Sequence, residues 1–253
     1  MCPEPSRWGA RSMKGMPVGL FGKKDDSVEE SPKTIDEGGV ASKTANAIVQ
    51  KLMDFGFDGL GPLDSVEDVV KEFTAKYPDP EKAITKIIRS HTRLVASGGF
   101  VTGFGGLFTL PVAIPANIIE FYVLATRMVG SIAEIRGYDV RRPEVRTAVL
   151  LTLVGADSTE LLNKAGVPTG TRLAQIAAKQ LPDAAMMVIN KGVGFRVATK
   201  FGGQTLSRFT KGVPIAGGVI GAGLDTFMLD KIADNAKVEF PARRRLAAVP
   251  AED

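Results

Sequence analysis

The spacing of apolar residues along this chain is helical almost throughout. From Ser42 onward, apolar side chains recur three and four positions apart, which places them on one face of a helix. The first predicted helix runs until Gly56 and Gly59 interrupt it. Glycine pairs, prolines and capping residues divide the remainder into predicted helices over 66–76, 80–96, 114–136, 143–154, 158–165, 171–181, 183–201, 206–209 and 215–238.

The second feature of the pattern is the near absence of period-two alternation, which would indicate half-buried strands. Apolar residues make up 44% of 253 residues, enough to bury a core. We therefore predict an all-α fold, a single multi-helix bundle that contains Gly/Pro-rich apolar helical hairpins. The bundle is expected over residues 41–240, between a disordered N-terminal arm, 1–40, that lacks any apolar period, and a flexible C-terminal tail, 241–253.

Composition excludes several classes of function. The single cysteine, Cys2, cannot form an internal disulfide, and no signal segment opens the chain, so we expect a cytoplasmic protein. One histidine and one cysteine cannot build a zinc site, and no motif indicates another metal or a cofactor. The 32 basic and 28 acidic residues nearly balance, which argues against a nucleic-acid partner.

The charges are unevenly distributed along the chain. Two long intervals lack acidic residues, and each contains an uncharged glycine-rich segment. Between Glu81 and Glu120 there is no acidic residue, and the uncharged first glycine-rich segment, 94–119, follows a basic helix. It matches a bilayer span in length, for which about 20 residues suffice. Its glycines and prolines would nevertheless break a helix exposed to lipid, so a simple transmembrane span is disfavoured.

The second glycine-rich segment, 212–224, repeats this plan. It ends an interval without Asp or Glu, 184–224, whose earlier part carries five basic residues interleaved with three phenylalanines. Gly217 and Gly221 form a small-xxx-small pair that permits close helix contact.

Two interpretations of these intervals remain open. The segments can be tightly packed central helices of a soluble bundle, or they and the basic helices can form one face that meets a membrane. In the second case basic side chains contact anionic headgroups while phenylalanines and glycine-rich turns enter the interface. The candidate lipid contacts are Lys86, Arg89, Arg93, Phe100, Phe104, Lys191, Arg196 and Lys200.

These intervals, together with a block between them, resemble the EcsC protein family. The resemblance is carried by Ser97-Gly98-Gly99-Phe100-Val101-Thr102-Gly103-Phe104-Gly105-Gly106, by 109–116, by Ile135-Arg136-Gly137-Tyr138-Asp139, and by 189–196 and 213–225. The combination is more specific than any one glycine pair. The family is named after a bacterial gene that neighbours an ABC-type exporter. The resemblance implies a bacterial cytoplasmic or membrane-peripheral protein, accessory to transport, secretion or envelope upkeep, with a membrane protein or transporter as candidate partner.

Five polar residues are structural or functional candidates: His91, Asn117, Glu120, Arg127 and Asp225. Glu120 and Asp225 interrupt apolar surroundings, and His91 is the only histidine. We expect His91 to be a hydrogen-bonded helix residue that meets Glu120 or Asn117. Because buried carboxylates need partners, Glu120 and Asp225 are expected to form ion pairs, for which the candidates are Arg127, Arg93 and Arg196. A general acid with a raised pKa is the alternative.

The sequence therefore supports three hypotheses. The first is a non-enzymatic helical protein, associated peripherally with the inner face of the cell membrane through its acid-free intervals. The second is a soluble bundle that encloses a hydrophobic ligand, with glycines and phenylalanines shaping the cavity. The third is a hydrolase that would use His91 with Glu120 or Asp225. No motif in the sequence assigns a catalytic role to any of these three residues.

Overall fold

The computed structural model describes residues 40–59, 63–97, 116–168, 170–202 and 216–243. These ranges contain helices and no strand, which confirms the all-α prediction. The helices are α1 (Val40–Lys51), continued by a π-helical turn (Leu52–Phe57), α2 (Val66–Lys76), α3 (Pro80–Ser97), α4 (Ala116–Ile135), α5 (Pro143–Val154), a 3-10 turn (Gly155–Asp157), α6 (Ser158–Lys164), α7 (Leu173–Ala178), α8 (Asp183–Gly202) and α9 (Ala216–Glu239). The predicted arm 1–40 lies outside the described residues except for Val40, and the predicted helix 206–209 lies outside them entirely.

Helix starts follow the local capping signals. The Ser65 side chain accepts a hydrogen bond from the backbone N–H of Asp68 at 3.1 Å and caps α2. In the same way the Asp79 carboxylate accepts from the backbone N–H of Lys82 at 3.1 Å, and Pro80 opens α3. α7 is shorter than predicted, since the chain is already extended at Lys179, three residues before Pro182.

The first helix continues past the glycine that was expected to stop it. Leu52–Phe57 forms a π-helical turn, in which the Asp58 N–H reaches the Met53 carbonyl at 3.2 Å. Gly56 lies inside this turn, where a Cβ atom would stand 2.8 Å from the Thr126 side chain of α4. The chain turns only at Gly59, whose φ of 68° favours glycine. Gly56 therefore permits a close helix contact rather than a stop.

α4 is the central helix of the bundle. Its sequence is mostly apolar, and its residues from Ile119 to Ala133 are all buried. The π-helical turn, α2, α3, α5 and α9 pack around it. Within the described ranges, no helix is both long enough and apolar enough to cross a membrane.

The two helices that carry the basic candidates, α3 and α8, pack against different helices. α3 packs against α2, α4 and α9, whereas α8 packs against α1, α5 and α6. Hence α3 and α8 do not form one continuous basic surface through direct packing.

The helix directions nevertheless bring four helix ends together. α3 runs antiparallel to α4, because Glu81 at its start meets Arg136 at 2.9 Å and His91 meets Arg127 farther along. α9 runs parallel to α4, because Arg136 also donates to the carbonyl of Lys237 near the end of α9, at 2.6 Å. The end of α3 therefore lies at the same end of the bundle as the starts of α4 and α9.

α8 finishes at this end as well. α5 returns antiparallel to α4, and α8 follows α5 from Asn190 beside Thr147 (3.3 Å) to Arg196 beside Asp157 (3.4 Å). Asp157 in turn lies close enough to Tyr122, in the second turn of α4, to raise its pKa beyond the effect of burial. We name this end, where α3 and α8 finish and α4 and α9 begin, the glycine-segment end.

The chain beyond α9 remains attached at the opposite end of the bundle. The Tyr138 hydroxyl donates to the Pro241 carbonyl at 3.0 Å, and the Arg243 guanidinium stacks over the Tyr138 ring at 4.1 Å. The remainder of the predicted tail, 244–253, lies outside the described residues.

Candidate functional site

The α3 cations differ in their surroundings. Arg89 and Arg93 are exposed and line a groove between α3 and α9. Lys86 is half-buried, and its ammonium lies 5.4 Å from the centre of the Tyr77 ring, a cation–π contact. Arg89 and Arg93 are thus the α3 candidates that face solvent.

The α8 cations are engaged differently. Arg196 pairs with Asp157 at 3.4 Å and with Glu160, and so ties α8 to α6. Lys191 is half-buried. The side chain of Lys200 lies outside the described part of α8, as does that of Asn117 in the first turn of α4, and Phe100 and Phe104 lie outside the described residues.

His91 and Arg127 form a buried contact between α3 and α4. The His91 Nδ1–H donates to the Ile87 carbonyl at 2.9 Å, while Nε2 accepts from the Arg127 Nε–H at 3.2 Å. Arg127 also donates to the Asp64 carbonyl at 3.4 Å. Burial, and secondly the Arg127 charge, lower the pKa of His91 to about 3, so the ring is a neutral acceptor at neutral pH.

This geometry corrects two predictions. His91 meets Ile87 and Arg127, so the predicted contact with Glu120 is wrong. Glu120 likewise forms no ion pair with Arg127, Arg93 or Arg196 among the described residues. A neutral imidazole that is 2% exposed and bonded at both nitrogens cannot act as a general base on a substrate, which argues against the hydrolase hypothesis.

Glu120 instead lies close enough to a second carboxylate, Asp225 of α9, for that charge to act on its pKa. Burial, and secondly the Asp225 charge, raise the pKa of Glu120 to about 7 from 4.5. Burial also raises the pKa of Asp225. Because burial and a like charge both disfavour the ionised form, Glu120 is partly protonated at neutral pH.

We expect Glu120→Gln to stabilise the protein at high pH and to have little effect in acid. The folded-state pKa of Glu120 exceeds the unfolded value, so the wild type loses stability as pH rises from about 4.5 through 7. The variant lacks this loss and should gain about 1–2 kcal/mol at pH 8, less than the full shift implies because the folded protein can relax around an ionised carboxyl. Denaturant melts at pH 4 and pH 8 measure the difference.

Glu160→Gln is the matched control for this prediction. Glu160 is exposed, and its partners Lys164 and Arg196 lower its pKa, so its neutralisation should destabilise the protein at high pH. A Glu120→Gln variant that is less stable than the wild type at pH 8 would show that Glu120 has a compensating partner.

Sequence reasoning missed an open groove between α9 and the junction of α5 with α6. It encloses about 520 Å³. Both apolar and polar side chains line its walls, among them Tyr122, Leu153, Phe227, Lys231, Ile232 and Asn235. No pattern local to one helix could reveal it, because the groove exists only where α9 leaves α5 incompletely covered.

The described residues define a class of protein: an all-α bundle around one buried apolar helix, with a buried Glu120 carboxyl near the half-buried Asp225 and without a group of three His, Cys, Asp or Glu side chains suited to a metal. The model of the EcsC protein family matches residues 62–245, well over half of the chain. The chain therefore belongs to the EcsC protein family, as its sequence blocks indicated. No curated protein and no solved structure gives a match.

Proposed function

We propose that this EcsC-family protein is a non-enzymatic, membrane-peripheral protein that meets the anionic inner face of the cell membrane with its glycine-segment end. The observation that carries the proposal is the arrangement of helix ends. The intervals 98–115 and 203–215 follow α3 and α8 and precede α4 and α9, and all four of these helix termini lie at one end of the bundle. Both acid-free intervals are thus joined to the protein on the same side.

Charge at this end supports the proposal. Arg89 and Arg93 are exposed in the second half of α3, and a basic residue near an anionic surface contributes about 1 kcal/mol of attraction. Two acidic residues there carry a weakened negative charge, because Glu120 has a raised pKa and Asp157 is paired with Arg196. The end is therefore less negative at neutral pH than its composition suggests.

Exposed apolar side chains are compatible with the proposal without deciding it. Leu224 and Phe227 are 49% and 58% exposed in the first half of α9. Met187 and Val238 are each 69% exposed, however, and lie near the opposite end. Membrane contact by the glycine-segment end is thus argued from charge and helix termini rather than from apolar exposure.

A position-specific fluorophore tests both binding and orientation. With Cys2 changed to Ser, single cysteines at Ala96 and Thr199 place a polarity-sensitive dye in the last turns of α3 and α8, where both native side chains are exposed. With vesicles rich in phosphatidylglycerol, we expect the emission of the dye at either position to shift to the blue and to be quenched by lipid-borne quenchers. Raising the ionic strength from 0.01 to 0.15 M should reverse it, since the Debye length falls from about 30 to about 8 Å.

The matched control is a cysteine at Gln180, which is exposed and lies between α7 and α8 at the opposite end. Its dye should stay unshifted on the same vesicles. Failure of the labelled protein to float with anionic vesicles at low salt, or an equal response at Gln180, would contradict the proposal.

The groove between α9 and α5 favours a second candidate, a carrier of a hydrophobic ligand. Its volume of about 520 Å³ lies in the range of small-ligand sites, although it is open rather than enclosed as the sequence hypothesis required. Uptake of a soluble fatty acid by a protein that ignores vesicles would favour this candidate over membrane association.

A further inference from the structure

The groove between α3 and α9 combines positive charge with hydroxyl groups. α3 contributes four polar side chains at helical spacing, which therefore share one face, and α9 supplies the opposite wall. The groove encloses about 420 Å³, and its lining residues are Thr85, Ile88, Arg89, Thr92, Arg93, Asp230 and Lys237.

The two arginines of this groove lack the partners that other arginines have. Within the described residues, neither Arg89 nor Arg93 has a carboxylate within ion-pair distance. By contrast, five other described arginines pair with Asp or Glu: Arg136, Arg141, Arg142, Arg146 and Arg196. Two exposed guanidinium groups one helical turn apart can therefore bind an anion without first breaking an internal ion pair.

The geometry of the two guanidinium groups indicates which kind of anion the groove would bind. Arginine presents planar N–H groups that match the oxygens of a phosphate, and such charge-assisted hydrogen bonds are about twice as strong as neutral ones. A long nucleic acid fits poorly, because Asp230 and Asp234 on α9 would repel a continuous polyanion. A compact phosphate group fits the groove better.

Asp230 adds a second element of recognition. Its carboxylate lies 3.4 Å from the Thr92 hydroxyl, whose proton goes to the nearer Ile88 carbonyl at 2.9 Å, and it lines the same groove as the arginines. A ligand that places only phosphate oxygens beside this carboxylate is repelled, whereas a hydroxyl or ammonium group next to the phosphate can donate to it.

From these observations we propose that the groove between α3 and α9 binds a phosphate ester that carries a hydrogen-bond donor beside its phosphate, with Arg89 and Arg93 on the phosphate and Asp230 on the donor. The same chemistry occurs in a lipid headgroup and in a soluble ester. The inference goes beyond the proposed function, because it stands whether or not the protein binds membranes.

Calorimetric titration of the full chain with glycerol phosphate and with inorganic phosphate tests the groove. We expect glycerol phosphate to bind more tightly than inorganic phosphate, and Arg89→Gln with Arg93→Gln to weaken it by about tenfold per arginine. Asp230→Asn should remove the preference for glycerol phosphate, because the donor then loses its anionic acceptor. Lys71→Gln with Lys179→Gln, two exposed lysines outside the groove, is the charge-matched control.

Vesicle flotation of the same variants distinguishes the source of the phosphate. Loss of phosphatidylglycerol binding in the arginine double variant, but not in the lysine control, assigns a lipid headgroup. Binding of glycerol phosphate without flotation assigns a soluble ester, and membrane association then fails while the groove stands. Arginine variants that bind both probes as the wild type does, or a wild type that binds neither probe, overturn the inference.

Discussion

Replacing Gly194 with alanine is expected to destabilise the protein by about 2 kcal/mol or more. Gly194 of α8 lies against α1, where an added Cβ would stand 2.7 Å from the Ala45 carbonyl carbon and nearer still to its oxygen. Backbone cannot rotate away as a side chain can, so α1 must move off α8. Overpacking of this kind costs roughly 1–3 kcal/mol, and the better helix propensity of alanine, about 1 kcal/mol, offsets only part of a severe clash.

Gly192→Ala provides the control on the same helix. There the nearest atom is the tip of the Leu161 side chain, 2.5 Å from the added Cβ, and a flexible leucine can shift. We expect the unfolding free energy of this variant to stay within about 0.5 kcal/mol of the wild type, measured by urea denaturation. Equal stability of the two variants would mean that α1 adapts to Gly194→Ala without cost.

Replacing His91 with leucine should lower the unfolding free energy by about 3 kcal/mol. The substitution leaves the Arg127 Nε–H buried without its acceptor, and a buried charged donor that loses its partner costs more than a neutral one. Burial already lowers the pKa of Arg127, which shows that its charge is poorly solvated. Urea denaturation at pH 7 measures the loss.

The double variant His91→Leu with Arg127→Met distinguishes this cause from a packing defect. Removing both polar partners replaces the buried contact with apolar side chains and should recover much of the loss. The wild type should also lose stability as pH falls from 6.5 towards 3, because unfolded His91 binds a proton there and folded His91 does not. A double variant that is less stable than His91→Leu would indicate that Arg127 contributes through other contacts.

Local signals predicted most of the helices, because each depends on a few neighbouring residues. Helix starts are fixed by the capping side chains of Ser65 and Asp79 and by the proline that opens α3. These signals act locally and do not depend on which helices become neighbours. Gly56 shows where such signals fail. Its role depends on Thr126, far away in sequence, so a glycine that resembled a helix stop serves a close approach between helices.

The partners of the candidate polar residues could not be predicted from the sequence. His91, Glu120, Arg127 and Asp225 stood out along the chain as structural or functional candidates, but their contacts did not. Sequence spacing suggested partners on the same helix, such as Glu120 with Arg127, whereas the structure pairs Arg127 with His91 of α3 and sets Glu120 beside Asp225 of α9. Which helices become neighbours is decided by packing around α4, and no local pattern contains that information.

The sequence by itself determined the all-α class, most helix boundaries and the family, because periodicity, capping and motif blocks are properties of short stretches of chain. Only the tertiary structure decided that α3 and α8 pack on different neighbours while their ends meet at one end of the bundle. The physical reason is that helix direction and adjacency follow from burying the apolar surface of α4 on all sides. Such burial depends on residues that are distant along the chain and close only after folding.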